Sequence, residues 1–145
     1  MPSRMSPSSD LDPGVQLDRY VVVRVLGSGG HATVYEVRHV TLDTHHALKV
    51  LHGVSSEASE RLLREGRALG KLNHPGIVGV TDFIEVAGAP GLVMELVDGL
   101  SLEALLKRGP LAEEHFDSIT QQLLDAVGAA HERGFLHRDL KPANI

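Results

Sequence analysis

The nine residues HRDLKPANI, from His137 to Ile145, close the sequence and bring together five kinds of polar side chain. Within them, Lys141 follows Asp139 by two residues and Asn144 follows it by five. Phosphoryl transfer requires a carboxylate beside the attacking hydroxyl, cations near the phosphates and oxygen ligands for Mg²⁺. A proline stiffens the stretch and two apolar residues precede it, which argues against the alternative of a merely solvated polar tail. The stretch therefore predicts a site for phosphoryl transfer.

Composition and length restrict the class of protein and its possible partners only broadly. The chain has 145 residues, of which 42% are hydrophobic and 3% aromatic, enough for one compact globular domain with a core. Its net charge of -5 provides no basic field that would indicate nucleic acid or an anionic membrane. It has no cysteines, which excludes disulfides and suits a reducing, cytoplasmic location. No stretch approaches the roughly 20 apolar residues of a transmembrane helix, so no membrane segment is expected.

Hydrophobic patterns predict an α+β architecture in two parts. Short β-branched runs between glycine-rich turns predict five strands, with one helix inserted among them, and the pattern changes to helices after Asp98-Gly99. The predicted strands are Arg19–Leu26, Thr33–Val40, His45–His52, Ile77–Val86 and Pro90–Val97, the last two lying around a turn at Gly88–Gly91. The predicted helices are Ser55–Leu72, for which Ser55 or Ser56 is the cap, one that Ser101 caps, and a longer one that stops at Gly134. The Pro- and Ser-rich N-terminus predicts a disordered leader.

The segment LGSGGHATVYEV, Leu26–Val37, contains a glycine-rich turn between two of the predicted strands. In a dinucleotide-binding fold the glycines would open a helix, but here the β-like TVYEV follows them, so that alternative is rejected. A glycine loop between antiparallel strands suits a flap over phosphates, because Gly27 and Gly29 let the backbone approach a ligand closely. Ala32 stands where a third glycine would complete the pattern. An ordinary hairpin turn remains the alternative.

Two charged residues occupy positions where apolar residues are expected. On the wheel of the predicted helix, Glu65 falls on the same face as Leu62 and Leu69, where a carboxylate is costly unless it is paired. Lys49, on the preceding strand, is the candidate partner, and an ion pair between Lys49 and Glu65 would explain both residues. The alternative is that Glu65 lies at the edge of the apolar stripe and reaches water.

Together, the segments LGSGGHATVYEV, HALKV, LVMELVDG and HRDLKPAN resemble the motifs of the eukaryotic-type serine/threonine protein kinase catalytic domain, in that family's order. The resemblance extends from about Leu17 to Ile145, with His46 in place of the usual valine. It implies a protein-kinase-like α+β fold with an antiparallel five-stranded N-lobe, one αC helix and an incomplete helical C-lobe. The implied division is a disordered leader over residues 1–16, an N-lobe and hinge over 17–97, and a partial C-lobe over 98–145.

The resemblance also implies a role for each site residue. Lys49 would hold the α/β-phosphates of ATP and pair with Glu65 of the αC helix. Asp139 would be the catalytic base, Lys141 the catalytic-loop lysine of the serine/threonine class, and Asn144 a ligand of Mg²⁺. The implied nucleotide-binding residues are Leu26, Gly27, Gly29, Val34, Ala47, Lys49, Met94, Glu95 and Val97.

The function that the resemblance implies is phosphoryl transfer to serine or threonine of a protein substrate, with ATP and Mg²⁺ as cofactors and no nucleic-acid partner. The D-F-G motif, whose aspartate is the family's main Mg²⁺ ligand, does not occur in the sequence, and neither does A-P-E. The chain is therefore expected to be an N-terminal fragment that is inactive by itself. The alternative is a non-catalytic nucleotide-binding or interaction module derived from a kinase.

Overall fold

The structure, a computed structural model, describes residues 11–53 and 55–145. These residues form two compact units. The first contains the described residues up to Lys71 together with Gly79–Leu96, and the second contains Leu72–Val78 and Val97–Ile145. A sheet and one helix make up the first unit, and helices dominate the second.

A six-stranded antiparallel sheet forms most of the first unit. Its strands are β1 (Gln16–Leu17), β2 (Tyr20–Ser28), β3 (Ala32–His39), β4 (His45–Leu51), β5 (Val80–Val86) and β6 (Ala89–Glu95). They lie in the order β1-β2-β3-β4-β6-β5, and every neighbouring pair is antiparallel. The predicted antiparallel sheet is confirmed. The additional strand, β1, was not predicted because a strand of two residues has no periodicity to detect.

The N-terminal segment is packed onto the sheet from Leu11 onward. Leu11 is buried in the core, and its backbone N–H donates to the Tyr35 hydroxyl at 3.2 Å. The N–H of Gly14 donates to the carbonyl of Val22 at 2.8 Å. The predicted disordered leader is therefore wrong for its described part, because a buried side chain and backbone hydrogen bonds hold this segment in place. The first ten residues of that leader lie outside the described residues.

The core of the first unit lies on one face of the sheet. It consists of Leu11, Tyr20, Val22, Tyr35, Val37, Leu48, Ile84, Val86 and Val93. Three strands separate β2 from β5 in the sheet order, yet the Tyr20 hydroxyl donates to Oδ2 of Asp82 at 3.0 Å. Burial and this hydrogen bond raise the pKa of Tyr20 to about 12. The hydroxyl therefore keeps its proton at neutral pH. Its hydrogen bond links β2 to β5, two strands that are not neighbours in the sheet.

The hairpin between β5 and β6 turns earlier than the sequence predicted. Ala87 and Gly88 form a two-residue loop, and both have positive φ, 50° and 82° respectively. Two positive φ values are typical of tight hairpin turns, whose twist matches that of the flanking strands. The turn therefore lies at Ala87-Gly88, and the predicted Gly88–Gly91 turn is wrong because Ala89 already belongs to β6 and pairs with Val86.

Helix α1, Ser56–Leu69, packs closely on the sheet of the first unit. Ser55 caps it as predicted, since its Oγ accepts a hydrogen bond from the Ala58 N–H at 3.3 Å. Gly66 lies on the buried face, where an added Cβ would be 2.2 Å from Cζ of Phe83. A glycine at this position therefore allows the close approach of α1 to β5.

Replacing Gly66 by alanine is expected to destabilise the first unit by about 1–2 kcal/mol, because overlap with Phe83 and Leu92 outweighs the gain in helix propensity. The matched control is Gly128→Ala in the long helix of the second unit, where an added Cβ meets no atom within 4 Å. The control is expected to stabilise the protein by up to about 1 kcal/mol. Urea unfolding followed by circular dichroism measures both changes. Equal effects at the two positions would contradict the close packing at Gly66.

The second unit consists of short and long helices joined by loops. Helix α2 spans Leu102–Leu106, helix α3 spans Glu113–Glu132, and a short 3₁₀ helix spans Pro142–Asn144. Ser101 caps α2 through its side chain, as predicted. Helix α3 ends before Gly134, also as predicted, because the positive φ of 74° at Gly134 turns the chain away from the helix.

The buried face of α3 uses small residues. Ala126 and Ala130 are buried, whereas Phe116 and Leu124 are 57% and 68% exposed. Gly76, in the loop before β5, packs against this face, and an added Cβ there would lie 3.0 Å from the Cβ of Ala126. Phe116 and Leu124 therefore contribute little to the packing of the second unit, whereas Ile119, Leu123 and Val127 are partly buried. No helix in the described part of the chain is long and apolar enough to cross a membrane.

Candidate functional site

The predicted nucleotide-binding residues of the first unit lie on the face of the sheet opposite the core. Val34 on β3 pairs with Gly27 on β2 and with Lys49 on β4. Residues directly opposite one another on neighbouring strands share a face, so these three lie side by side. Ala47 lies two residues before Lys49, on the same face, and pairs with Met94 of β6. The register of the sheet thus brings these five residues together.

Two further predicted residues lie at the margins of this group, and a third belongs to the second unit. Leu26 lies beside a register shift in β2 and is exposed. Glu95 is the last residue of β6, and its backbone N–H donates to the carbonyl of Gly79 at 2.8 Å. Val97 belongs to the second unit and is 63% exposed. The first unit therefore holds Leu26 and Glu95, whereas Val97 is not part of it.

The glycine hairpin connects the end of β2 to the start of β3. None of Gly27, Gly29 and Gly30 has a positive φ, and a Cβ added at Gly27 or Gly30 would meet no atom within 4 Å. Neither backbone conformation nor packing within the described residues therefore requires glycine at those two positions. The remaining physical reason is close approach of the backbone to another molecule, which favours a ligand-covering flap over an ordinary turn.

The predicted ion pair between Lys49 and Glu65 is not present in the structure. Among the described residues, no ion pair involves either side chain. Glu65 is exposed, whereas Leu62 and Gly66 are the buried residues of α1. The prediction that Glu65 lies on the inner face is therefore wrong, because that face centres on Leu62 and Gly66. Glu65 lies at the edge of the stripe, which was the stated alternative.

A charged cluster that the sequence analysis did not single out lies on the same face as Ala47. Glu36 pairs with Ala47 across β3 and β4 and is buried. Its carboxylate accepts hydrogen bonds from Nδ1 of His45 and Nε of Arg24, each at 2.7 Å. These two partners, His45 first, hold the pKa of Glu36 below its ordinary value. The alternation of side chains along β3 could have placed Glu36 on this face of the sheet, since Glu36 lies two residues after Val34.

His46 stands where the kinase resemblance expects valine. Its ring lies edge-on to that of Tyr20, with 5.6 Å between the ring centroids, and its Nε2 shares a hydrogen bond with the Thr44 hydroxyl at 2.9 Å. Burial, followed by the nearby His39, lowers the pKa of His46 from its ordinary value of 6.5. The folded protein therefore binds a proton at His46 less readily than the unfolded chain does.

The stability of the first unit is expected to fall as the pH decreases below about 6.5, because the unfolded chain takes up a proton at His46 first. This stabilising contribution is fully present above the unfolded-state pKa and is lost as the pH falls towards the lowered folded-state pKa. The variant His46→Val is expected to flatten the dependence of Tm on pH between about pH 7 and about pH 5. The control His115→Gln removes an exposed histidine of α3 and should leave that dependence unchanged. A His46→Val protein whose Tm follows the pH as the parent does would refute the assignment.

In the second unit, the predicted catalytic residues Asp139 and Lys141 and the predicted Mg²⁺ ligand Asn144 contact one another. The Nζ of Lys141 lies 3.2 Å from Oδ2 of Asp139. The Nδ2 of Asn144 donates to the same oxygen at 3.2 Å and to the backbone carbonyl of Asp139 at 2.9 Å. Because Asn144 uses its amide nitrogen in both contacts, its Oδ1 takes no part in them.

The carboxylate of Asp139 is charged and accessible. Its side chain is 66% exposed, and Lys141, more than Asn144, holds the pKa of Asp139 below its ordinary value of 3.8. Asp139 is therefore ionised at neutral pH. Both side-chain contacts use Oδ2, and no group in the described part of the chain donates to Oδ1. Oδ1 is thus available to accept a hydrogen bond from a hydroxyl group.

The backbone around Asp139 holds this arrangement in place. Arg138 has a positive φ of 63°, a conformation that costs a non-glycine residue about 1 kcal/mol or more. The N–H of Asp139 donates to Nδ1 of His137 at 3.2 Å. The carbonyl of Ile145 accepts a hydrogen bond from the N–H of Leu102, at the start of α2, at 2.7 Å. Local hydrogen bonds and a strained residue therefore position the carboxylate.

Most of the chain is similar to known proteins. The family model described as protein kinase domain matches residues 20–145. Serine/threonine-protein kinase pkn2 of Myxococcus xanthus is 41% identical over 130 residues, which cover 88% of this chain and 16% of that protein. The crystal structure of the Mycobacterium tuberculosis PknI kinase domain matches with a TM-score of 0.78 and 35% identity, over 93% of this chain and 57% of that one. Rad53 1-466 in complex with AMP-PNP matches with a TM-score of 0.77 and 34% identity, over 87% and 34% respectively.

The chain spans less than two thirds of each of these proteins. The family match nevertheless covers nearly all of the residues that the structure describes, and it includes both the glycine hairpin and the loop around Asp139. The relatives that match over most of this chain bear the names of protein kinases. On these grounds, the chain belongs to the protein kinase family.

Proposed function

We propose that this chain is the N-terminal part of the catalytic domain of an ATP-dependent serine/threonine protein kinase. The observation that carries the proposal is the contact of Lys141 and Asn144 with one carboxylate, that of Asp139, in the loop HRDLKPAN. The names of the relatives and the partial coverage of the PknI kinase domain support it. The substrate class is a protein that offers a serine or threonine hydroxyl, and the proposed location is the cytoplasm.

ATP is proposed to bind on the sheet face opposite the core. The residues fit a nucleotide, since the glycines of the hairpin are required by neither φ nor packing, and the partly exposed Lys49 beside them supplies a cation for phosphates. Ala47 and Met94 supply an apolar surface for a base. The match to Rad53 in complex with AMP-PNP, an analogue of ATP, supports this placement. The proposed nucleotide-binding residues of the first unit are Leu26, Gly27, Gly29, Val34, Ala47, Lys49, Met94 and Glu95. For Val97 of the second unit, the proposal rests on the kinase resemblance alone.

The loop of the second unit is proposed to carry the chemistry. Asp139 orients the acceptor hydroxyl through Oδ1 and takes its proton as the hydroxyl oxygen bonds to the γ-phosphorus and ADP leaves. Lys141, which already contacts the carboxylate, stabilises the negative charge on the transferring group. The Oδ1 of Asn144 is proposed as a ligand of Mg²⁺, because amide oxygens are hard ligands of the kind this ion prefers. When bound, Mg²⁺ neutralises charge on the phosphates.

We propose that Lys49 and Glu65 pair only in the nucleotide-bound state. Both belong to the first unit, and neither has an ion-pair partner within residues 11–53 and 55–145. Glu65 is exposed, so little rearrangement of the core is needed for its side chain to move. In that state the carboxylate of Glu65 would hold the ammonium group of Lys49 towards the phosphates.

The test combines binding with transfer. ATP with Mg²⁺ is expected to raise the Tm of this chain, since a ligand that binds only the folded state stabilises it. Transfer to a generic basic protein substrate is expected only from a longer polypeptide of the same reading frame that includes a D-F-G motif. No shift in Tm in either polypeptide would overturn the proposal, and robust transfer by this chain alone would show that the D-F-G aspartate is dispensable.

A second candidate is a non-catalytic nucleotide-binding module, which would use the glycine hairpin and the neighbouring Lys49 but would carry out no transfer. Binding without transfer in both polypeptides would support that module over the kinase. Transfer by the longer polypeptide would exclude it.

A further inference from the structure

We propose that His52 is a positioning residue that holds the glycine hairpin in place for the phosphates of a bound nucleotide. The inference rests on the proposed function, because it concerns how the same site is arranged. His52 directly follows β4 and lies three residues after Lys49. It was not predicted, since a histidine at a strand end carries no pattern that reveals which side chain it contacts.

His52 attaches the hairpin to β4 at two points. Its backbone N–H donates to the carbonyl of His31, at the tip of the hairpin, at 2.8 Å. Its Nε2 lies 2.7 Å from the hydroxyl oxygen of Thr33, on the strand that leaves the tip. Within the described residues, no other side chain from outside residues 28–33 hydrogen-bonds to this hairpin. One residue thus provides both its backbone and its side chain as anchors.

The contact with Thr33 extends to the other strand of the hairpin. Thr33 is completely buried, and its hydroxyl also lies 3.1 Å from Oγ of Ser28. A hydroxyl has one proton and two lone pairs, so Thr33 donates to at most one of its two neighbours and accepts from the other or from both. A buried hydroxyl that loses a partner is destabilising, so this chain of three side chains is held together by burial. It connects β4 through β3 to β2.

The chain of hydrogen bonds joins the strands that carry the proposed phosphate-binding groups. Ser28 lies between Gly27 and Gly29, and β4 carries Lys49. Loss of the His52 side chain would leave the hairpin attached to β4 by backbone hydrogen bonds alone, and the hairpin would move relative to Lys49. The proposed base-binding surface, Ala47 and Met94, lies elsewhere on the sheet and would be unaffected. The inference therefore predicts weaker binding of phosphates with unchanged binding of the base.

Isothermal titration calorimetry of this chain with ATP and Mg²⁺, and separately with adenosine, tests the inference. His52→Ala is expected to weaken ATP binding by about threefold to tenfold, the worth of one hydrogen bond, while adenosine binding stays unchanged. His52→Gln is the conservative variant, because its amide can donate to or accept from the Thr33 hydroxyl, and ATP affinity should stay within about twofold of the parent. The matched control His31→Ala removes a histidine side chain from the same hairpin and keeps the carbonyl that His52 uses, so it should bind ATP as the parent does.

Hydrogen exchange supplies a readout that does not depend on the nucleotide. The amide of Gly29, which donates to the carbonyl of Ala32 at 2.9 Å, is expected to exchange about tenfold faster in His52→Ala, while the amide of Val37 in the core does not change. Unchanged ATP affinity in His52→Ala, equal losses for ATP and adenosine, failure of His52→Gln to restore binding, or unchanged exchange at Gly29 would each overturn the positioning role. If the parent chain binds no nucleotide at all, the proposed function fails, and the exchange at Gly29 still decides whether His52 anchors the hairpin.

Discussion

Replacing Asp139 by asparagine is expected to lower phosphoryl transfer by about a thousandfold in a polypeptide that contains the complete catalytic domain. Asparagine cannot take the proton of the acceptor hydroxyl, and it removes the charge that Lys141 and Asn144 contact. Because the Asp139 side chain is largely exposed, the fold should be retained. Steady-state kinetics at saturating ATP, with Tm measured in parallel, provide the test. The expected result is a fall in kcat with little change in KM for ATP.

The matched control for this prediction is Asp117→Asn. Asp117 is an exposed carboxylate on α3, outside the proposed site, and its replacement should leave kcat unchanged. If Asp139→Asn retains turnover within about tenfold of the parent, Asp139 is not the base, since a general base contributes a factor of about 100 or more.

The second large effect is expected at Lys49. The variant Lys49→Met removes the cation proposed to contact the phosphates, and transfer should fall by about a hundredfold to a thousandfold, as it does when a donor to the transition state is lost. Methionine matches the unbranched stem of lysine and suits a partly exposed strand position, so the fold should be preserved. ATP binding should weaken and adenosine binding should not, since adenosine carries no phosphate.

The matched control is Lys71→Met, which removes an exposed lysine just beyond the end of α1. It should leave both transfer and ATP binding unchanged. Normal transfer by Lys49→Met, or an equal loss in the two lysine variants, would show that Lys49 does not contact the phosphates. Either result would contradict the proposed nucleotide site.

Much of the fold was predictable because its signals are local. The β-branched runs predicted β2, β3 and β4 to within a few residues, and the serine caps of α1 and α2 were both identified. The errors arose where a local signal was overridden or too short. Leu11 follows a Pro- and Ser-rich segment and is nevertheless buried, and the turn at Ala87-Gly88 carries no proline.

The candidate site also contains one part that local sequence predicts and one part that depends on tertiary packing. Asp139 and its two partners contact one another within a loop of six residues, so their spacing alone indicated the cluster. The relation of Lys49 to Glu65 depends instead on the rotation of α1 about its axis, which Gly66 determines by packing against β5. A helical wheel cannot supply that rotation when a glycine lies at the centre of the buried face.

The sequence by itself determined the positions of β2, β3 and β4, the helix caps and the grouping of Asp139, Lys141 and Asn144, because each depends on residues a few positions apart. Only the tertiary structure decided which residues of β2, β3 and β4 lie side by side, that Glu65 is exposed, and that His52 reaches Thr33. Those relations depend on strand register and on the packing of one element against another, and packing is a sum over many distant side chains that no short stretch of sequence contains.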